Sequence, residues 1–459
     1  MKTIFMSLSR GFVARNMLQT DVKKTLLEQE DVQLILFVPY NAPDYFMKEV
    51  EHPRVTVIET ENMSHSGWRK LFSRTMQKIV YSKTAQYMLH YGGRPSKKNT
   101  PWYKWIFVHP FFSLMSRMKF FIPVFRWLDY TLYPEKKYDH YFETHKPDLF
   151  IAAGIKAKRD MAMMKSARRF NVCSVGMTRS WDNLDRMLVQ FLPNKIVVQN
   201  EAMKDLGVRW HKIPEEDMFV TGFPQFDLYE QTDTFESREV FCEKRNLDPV
   251  RKTIMFGSEG AWAPYGYHIA QELIDMANND EFCEPVQIIV RPHFSDINLK
   301  GANVYDVVDG RPNTYYDNYF RVSKMWTDKW DPSWEEMKTL ANQLYHADIL
   351  VTYASTLCLE AAILDTPIIN IAYPHKNDKT KGPFMGLYYN SSHFGRVTNS
   401  HATRRAHNKQ ELKALVNRYL KNPEYEREQR KKLGDWLAPH RGASGKRLGE
   451  YLLSHIAHI

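Results

Sequence analysis

Ala347-Asp348-Ile349-Leu350-Val351-Thr352-Tyr353-Ala354-Ser355-Thr356-Leu357-Cys358-Leu359-Glu360-Ala361-Ala362 is the stretch whose reading decides the fold. The run 349–352 has no polar alternation, which is how a strand buried on both faces of a parallel sheet reads. A helix over 356–364 follows at once, so strand and helix form half of a βαβ unit. Ser355 and Thr356 open that helix, where hydroxyls and unsatisfied first-turn N–H groups can receive an anion. Capping explains Ser355 without any ligand. It does not explain Glu360, a carboxylate one turn into an apolar helix. Burying it is costly unless a strong partner such as a ribose diol faces it.

Working outward, the same alternation fills the chain. Strands are expected at 3–7, 33–38, 55–58, 149–152, 173–175, 195–198 and 218–221, with helices between them, for example 13–29 and 157–170. Residues 227–250, charged and poor in apolar side chains, read as a linker. The pattern then restarts with strands at 253–256, 286–290, 349–352 and 368–371, and helices at 265–278, 334–346, 356–364, 410–420, 424–437 and 445–458. The expectation is α/β: two Rossmann-like, doubly wound domains facing a cleft, over 1–230 and 250–440, with a C-terminal helix in 441–459 that packs back on the first. Open α/β sheets bind ligands beyond the carboxyl ends of their strands.

A chain of 459 residues with 43% hydrophobic and 25% charged residues has the balance of a globular protein large enough for two cores. The start has too short an apolar run for a signal peptide. Cys173, Cys242, Cys283 and Cys358 are widely spaced and form no CxxC pair, so a reducing, cytoplasmic setting is expected rather than a disulfide framework or zinc site. The net charge of +10 is local. Residues 66–137 carry fourteen Lys and Arg against two acids, Asp129 and Glu135, a net of +12 that leaves the remainder near neutral.

Seventeen aromatics are interleaved with those charges over 66–137. Aromatics at headgroup level with Lys and Arg beside anionic lipid make an interfacial surface, and Lys97, Lys98, Trp102, Lys104, Trp105, Phe112 and Arg117 are the expected contacts. The longest uncharged run, 105–116, is twelve residues, against the ~20 that span a bilayer. A buried helical insertion is the plain alternative. Single-stranded nucleic acid would suit stacking aromatics and positive charge, but no RNA-binding signature accompanies them.

Other candidates sit where strands meet helices. Ser9-Arg10-Gly11 follows the first strand, and a Gly there lets backbone approach a ligand, with Arg10 and Arg15 adding charge; a tight turn with solvated arginines is the bland reading. Thr178-Arg179-Ser180-Trp181-Asp182-Asn183-Leu184 follows the fifth strand and offers a stacking face in Trp181, a general base in Asp182 and a polar hook in Asn183. A capped turn would explain the same residues. Gly257-Ser258-Glu259-Gly260 could turn backbone N–H groups toward a phosphate or be an ordinary turn. Arg291-Pro292-His293 could fork onto phosphate and exchange a proton, or be surface residues at a strand end.

Taken together, SRGFVARN (9–16), SWDNL (180–184), VTGFPQFD (220–227), RPH (291–293) and STLCLEAAILDTPIINI (355–371) resemble the GT-B glycosyltransferase superfamily. Within it the likeness is to CDP-glycerol glycerophosphotransferase and UDP-GlcNAc 2-epimerase-like proteins. It spans most of the chain but not the aromatic insertion. The resemblance implies a nucleotide-activated donor on the second domain, with phosphate on Ser355 and Thr356, ribose on Glu360, and further phosphate contacts from Arg291 and His293. Ser258 and Glu259 join this donor side, while Arg10, Gly11, Arg15, Trp181 and Asn183 face the acceptor. Such proteins commonly need no bound metal, and no cofactor is expected beyond the donor. Asp182 is the expected base, with His293 behind it. Near the end, His440-Arg441 departs from the family's acidic residue before Gly442. The expected function is sugar transfer to a lipid-linked or cell-surface glycan acceptor by a protein peripheral to the inner face of the membrane. The alternatives are polyol-phosphate transfer from a CDP donor, sugar-nucleotide 2-epimerisation, and a catalytically inactive binding protein; the basic, aromatic insertion speaks against epimerisation.

Overall fold

The computed structural model describes residues 1–91, 102–296, 303–376, 378 and 388–456. The first half is a seven-stranded parallel sheet of β1 (Lys2–Ser7), β2 (Val32–Pro39), β3 (Val55–Thr60), β4 (Leu149–Ala152), β5 (Cys173–Met177), β6 (Lys195–Val198) and β7 (Met218–Val220), in the order β3-β2-β1-β4-β5-β6-β7. The second has six: β8 (Lys252–Gly257), β9 (Val286–Arg291), β10 (Thr314–Tyr316), β11 (Ile349–Thr352), β12 (Ile368–Ile371) and β13 (Arg404–Ala406), ordered β10-β9-β8-β11-β12-β13. Both are doubly wound α/β sheets of the Rossmann kind, and in each the strand order reverses once, between β1 and β4 and between β8 and β11. Those switch points leave crevices at the carboxyl ends, which is where Arg10, Ser258 and Ser355 emerge.

Several elements differ from the expectation. The helix over 13–29 is two, Gly11–Leu18 and Asp21–Glu28, because extended Thr20 accepts from Val22 N and caps the second. β10 and β13 were not expected; each has three residues, lies at a sheet edge and lacks an apolar run. Residues 227–250 are not a bare linker. Leu228, Tyr229 and Phe241 are buried, and a helix forms over Arg238–Glu243.

The helix Ser444–Ser454 returns to the first half, where Leu448 and Leu452 join Ile4, Val22 and Leu26 in one core. Asp227, at the end of the VTGFPQFD motif, holds its start by accepting from Ser444 N (3.0 Å) and Gly445 N (2.7 Å). Gly449 lies directly on the other helix, since a Cβ there would stand 2.6 Å from Thr25 Cβ.

The insertion is helical, with Gly67–Gln77, Lys83–Tyr91, His109–Arg117 and Ile122–Leu132. A buried ionic cluster ties it to the first half: Lys165 Nζ lies 2.8 Å from Asp129 Oδ2 and 3.0 Å from Glu135 Oε2. Arg69 bridges the same two carboxylates, and His65 Nε2 reaches Glu135 at 3.0 Å. Phe112, expected at the membrane, is instead buried beneath Lys78. Lys97 and Lys98 lie outside the described residues, as do the side chains of Lys104 and Trp105. Trp102 and Arg117 are exposed.

Candidate functional site

The carboxyl ends of the two sheets face one another across a cavity of about 1600 Å³. From the first half, Arg10, Arg15, Arg179, Trp181, Asp182 and Arg186 line it. From the second come Ser258 and Glu259 after β8, Arg291 and His293 at the end of β9, and Ser355, Thr356 and Glu360 around the helix that follows β11. Folding thus gathers eleven of the thirteen residues expected in the cleft, which in sequence lie as far apart as Arg10 and Glu360.

Gly11 and Asn183 are the two that depart. Gly11 makes a close approach, but to protein: a Cβ there would meet Trp330 O at 2.2 Å and Asp331 Cα at 2.7 Å. Asn183 turns into its own loop, accepting from Arg179 N (3.2 Å) and donating to Asp182 Oδ1 (3.1 Å). It holds the loop rather than a ligand.

Asp182 is also unlike the base expected of it. Burial would raise its carboxyl, but Arg186, His393 and hydrogen bonds from Ser180 and Asn183 outweigh this and hold it well below the usual carboxylate range. Arg186 Nε sits 2.5 Å from its Oδ2. A carboxylate so stabilised is a poor proton acceptor. His293 is neutral for the opposite reason, burial having pushed it down to about 4. Its Nδ1 accepts from Ser295 N (3.2 Å), so the ring proton is on Nε2.

On the donor side, Arg291 is not free to fork onto phosphate, because Asp317 and Glu336 flank it and Gln343 Oε1 accepts from it at 3.3 Å. In the turn after β8 two N–H groups are already taken: Gly260 N, at φ +61°, donates to Ser258 Oγ (3.0 Å) and Ser258 N to Arg291 O (3.0 Å), while the Ser258 hydroxyl donates to Asp296 (2.7 Å). Glu259 is different. It lines the cavity, its Oε2 is buried, and no hydrogen-bond partner reaches that oxygen among the described residues. Burial pushes its carboxyl up to about 8, Asp296 and Asp182 adding to the effect and Arg186 opposing it. Glu360 is buried and raised by burial against Tyr229, Arg15 and Arg291; it accepts the Tyr229 hydroxyl hydrogen. Ser355 Oγ accepts from Leu357 N at 3.4 Å, while Thr356 is exposed.

Sequence reasoning missed the residues that close the two ends. At one end, Trp181 packs edge-on to His393 (5.3 Å between centroids), and Arg186 donates to the Tyr388 hydroxyl at 3.1 Å. At the other, Arg10 pairs with Asp328 (2.8 Å), Phe294 stacks on Trp330 at 4.7 Å, and Trp326 is buried against Phe46 of the first half. Only Arg186 left a trace in the sequence, four residues after Asp182 and so one helical turn away.

No family model matches the chain, and no curated protein matches it. Solved structures do. An S. aureus MnaA–UDP co-structure aligns over 100% of this chain and 98% of its own at 12% identity, with a TM-score of 0.56. A putative UDP-N-acetylglucosamine 2-epimerase from Listeria monocytogenes aligns over 99% and 97% at 10% identity and 0.56. UDP-GlcNAc 2-epimerase from Neisseria meningitidis, bound to UDP-GlcNAc, aligns over 99% and 100% at 11% identity and 0.53. The likeness is one of fold: the two facing Rossmann-like halves are a GT-B arrangement.

Proposed function

We propose that this GT-B-fold chain is a transferase that takes a sugar from a nucleotide-activated donor and delivers it to an acceptor at a membrane surface. One observation carries the donor half of this reading: the buried Glu360 carboxylate on the cavity wall, one turn beyond Ser355 and Thr356, with Arg15 and Tyr229 facing it. A ribose diol would donate to Glu360, and the diphosphate would lie toward the two hydroxyls. Arg179 adds to this support, because it lines the same cavity and its guanidinium is in no ion pair among the described residues. An unpaired guanidinium suits a diphosphate.

Glu360→Ala should weaken UDP or CDP binding by about 1–3 kcal/mol, the usual loss for a charged hydrogen bond, while thermal unfolding of the free protein stays near wild type. Calorimetry with each nucleotide measures this. Unchanged affinity for every nucleotide that binds wild type would remove the ribose role.

The acceptor half rests on the insertion. Phe111 and Leu114, and again Val124 and Trp127, are exposed three residues apart on α-helices, so each pair shares a face, and Phe107 and Phe120 are exposed on the turns just before them. Trp68, 80% exposed, stands on the insertion's first helix. Among the described residues no helix is long and apolar enough to cross a membrane. Faces of this kind beside a net charge of +12 suit shallow insertion among anionic headgroups. Binding to phosphatidylserine vesicles should therefore fall with salt. Trp102, Phe107 and Trp127 changed to Ser should weaken it even at high salt, and Lys97, Lys98 and Arg117 changed to Gln mainly at low salt. Co-sedimentation reads both; competition by single-stranded oligonucleotide would point to nucleic acid instead. Conversion of UDP-GlcNAc to its C2 epimer without release of UDP would point to an epimerase.

A further inference from the structure

We infer that Glu259 is the catalytic base of this cleft, taking the proton of the incoming acceptor hydroxyl. The inference rests on the donor-transfer reading above. Five carboxylates line the cavity: Asp182, Glu259, Asp328, Glu336 and Glu360. Four are committed. Asp182 is paired with Arg186, Asp328 with Arg10 and Glu336 with Arg291, and Glu360 accepts from Tyr229. The Glu259 side chain alone is in neither a hydrogen bond nor an ion pair among the described residues, and its Oε2 is enclosed. The unsatisfied Oε2 is unfavourable where it lies, and Oε1, which is not enclosed, is the oxygen that a substrate hydroxyl in the cavity can reach.

The position suits the chemistry. Glu259 follows β8 at the switch point, on the donor-bearing half, and looks across the cleft to Asp182 and Arg186 of the other half. In the transfer step the acceptor oxygen forms a bond to the anomeric carbon of the donor. Its proton passes to Glu259, and the bond from that carbon to the phosphate oxygen breaks, its electron pair leaving with the nucleoside diphosphate. Arg186 stabilises the carboxylate before the transfer, and burial stabilises the neutral acid after it.

The groups facing Glu259 set its pH dependence. They are Asp182 and Arg186 from the first half, Asp296 after β9, Tyr353 at the end of β11, Cys358 on the next helix, and Tyr388 and Tyr389. With its carboxyl near 8, only about a tenth of Glu259 is ionised at pH 7. Because the ionised form is the base, activity rises with pH through this value and then levels.

The test follows release of UDP into water from UDP-GlcNAc and UDP-glucose, water then being the acceptor. E259Q should lower kcat by ~10²–10⁴, leave UDP affinity within a few-fold, and abolish the rise with pH. E259D should keep the rise at reduced rate. Independently, infrared titration of wild type should show a protonated carboxyl band that fades between about pH 7 and 9 and is missing in E259Q. Release by E259Q at near wild-type rate with the same pH profile overturns the inference and leaves the donor reading standing. Wild type that binds neither UDP nor CDP overturns both. Wild type that binds UDP but releases it from neither donor, or that shows no such band, overturns the inference and leaves nucleotide binding standing.

Discussion

Asp129→Ala should cost the first half about 3–5 kcal/mol, the penalty for removing one partner of a buried ion pair. Asp129 and Lys165 are both fully buried, 2.8 Å apart, and Arg69 leans on the same carboxylate. Without Asp129 two cations share Glu135 in a dry interior. Urea unfolding measures the loss. Replacing Asp129 by Leu and Lys165 by Met together should recover much of it, since an apolar pair leaves less charge stranded. For contrast, Glu428→Ala breaks the pair to Lys432, whose partners are 73% and 74% exposed, and should leave the urea midpoint close to wild type. Equal losses in the two single variants would refute the argument. Acid should act on the same cluster. Burial would raise the Glu135 carboxyl, but His65, Lys165 and Arg69 bring it from an ordinary 4.5 down to about 2. Its folded value lies below its unfolded one, so its stabilisation is complete above about pH 4.5 and is lost as pH falls toward about 2.

Gly222→Ala is the second large effect. This glycine, in VTGFPQFD, has φ +87°, and a Cβ would stand 2.3 Å from Pro439 O and 2.4 Å from Ser444 Oγ. A left-handed alanine costs about 1–2 kcal/mol and overpacking typically about 1–3, so a loss of about 2–5 kcal/mol is expected. The backbone that must yield is the one that docks the helix Ser444–Ser454. Hydrogen exchange should therefore show that helix losing protection first. Gly67→Ala separates the two causes: its φ is +49° with nothing within 4 Å of a Cβ, so only the backbone penalty of about 1–2 kcal/mol remains. If both variants lose the same amount, the contact with Pro439 contributes nothing.

The sheets were legible because continuous apolar runs such as Ile349–Thr352 can hardly be anything but buried parallel strands. The two edge strands were not, because three residues such as Arg404-Arg405-Ala406 carry no period. The break at Thr20 was written as a helix cap but lay within a longer apolar pattern that hid it. At the cleft, residues at strand ends could be found from topology. What could not be read was which of them the fold would already satisfy. Asp182 and Arg291 look like free functional groups in sequence; Arg186, one turn along, was the only sign that Asp182 is paired, and Asp317 and Glu336 neutralise Arg291 only once distant segments meet. Glu259 stood in an unremarkable turn, and its distinction is the lack of any such partner among the described residues.

The return of the last helix makes the second half, in covalent terms, an insertion within the first. Two chain crossings then join the lobes, one after β7 and one before Ser444, and Asp227 of the first is bonded to Ser444 and Gly445 of the second. A pair of tethers restrains twisting between the lobes more than a single one would, favouring a jaw-like opening about one axis. It also sets a schedule for biogenesis. The core built on Ile4 and Val22 stays incomplete until Leu448 and Leu452 have left the ribosome, so the apolar face of β1 stays uncovered while the residues between them are made.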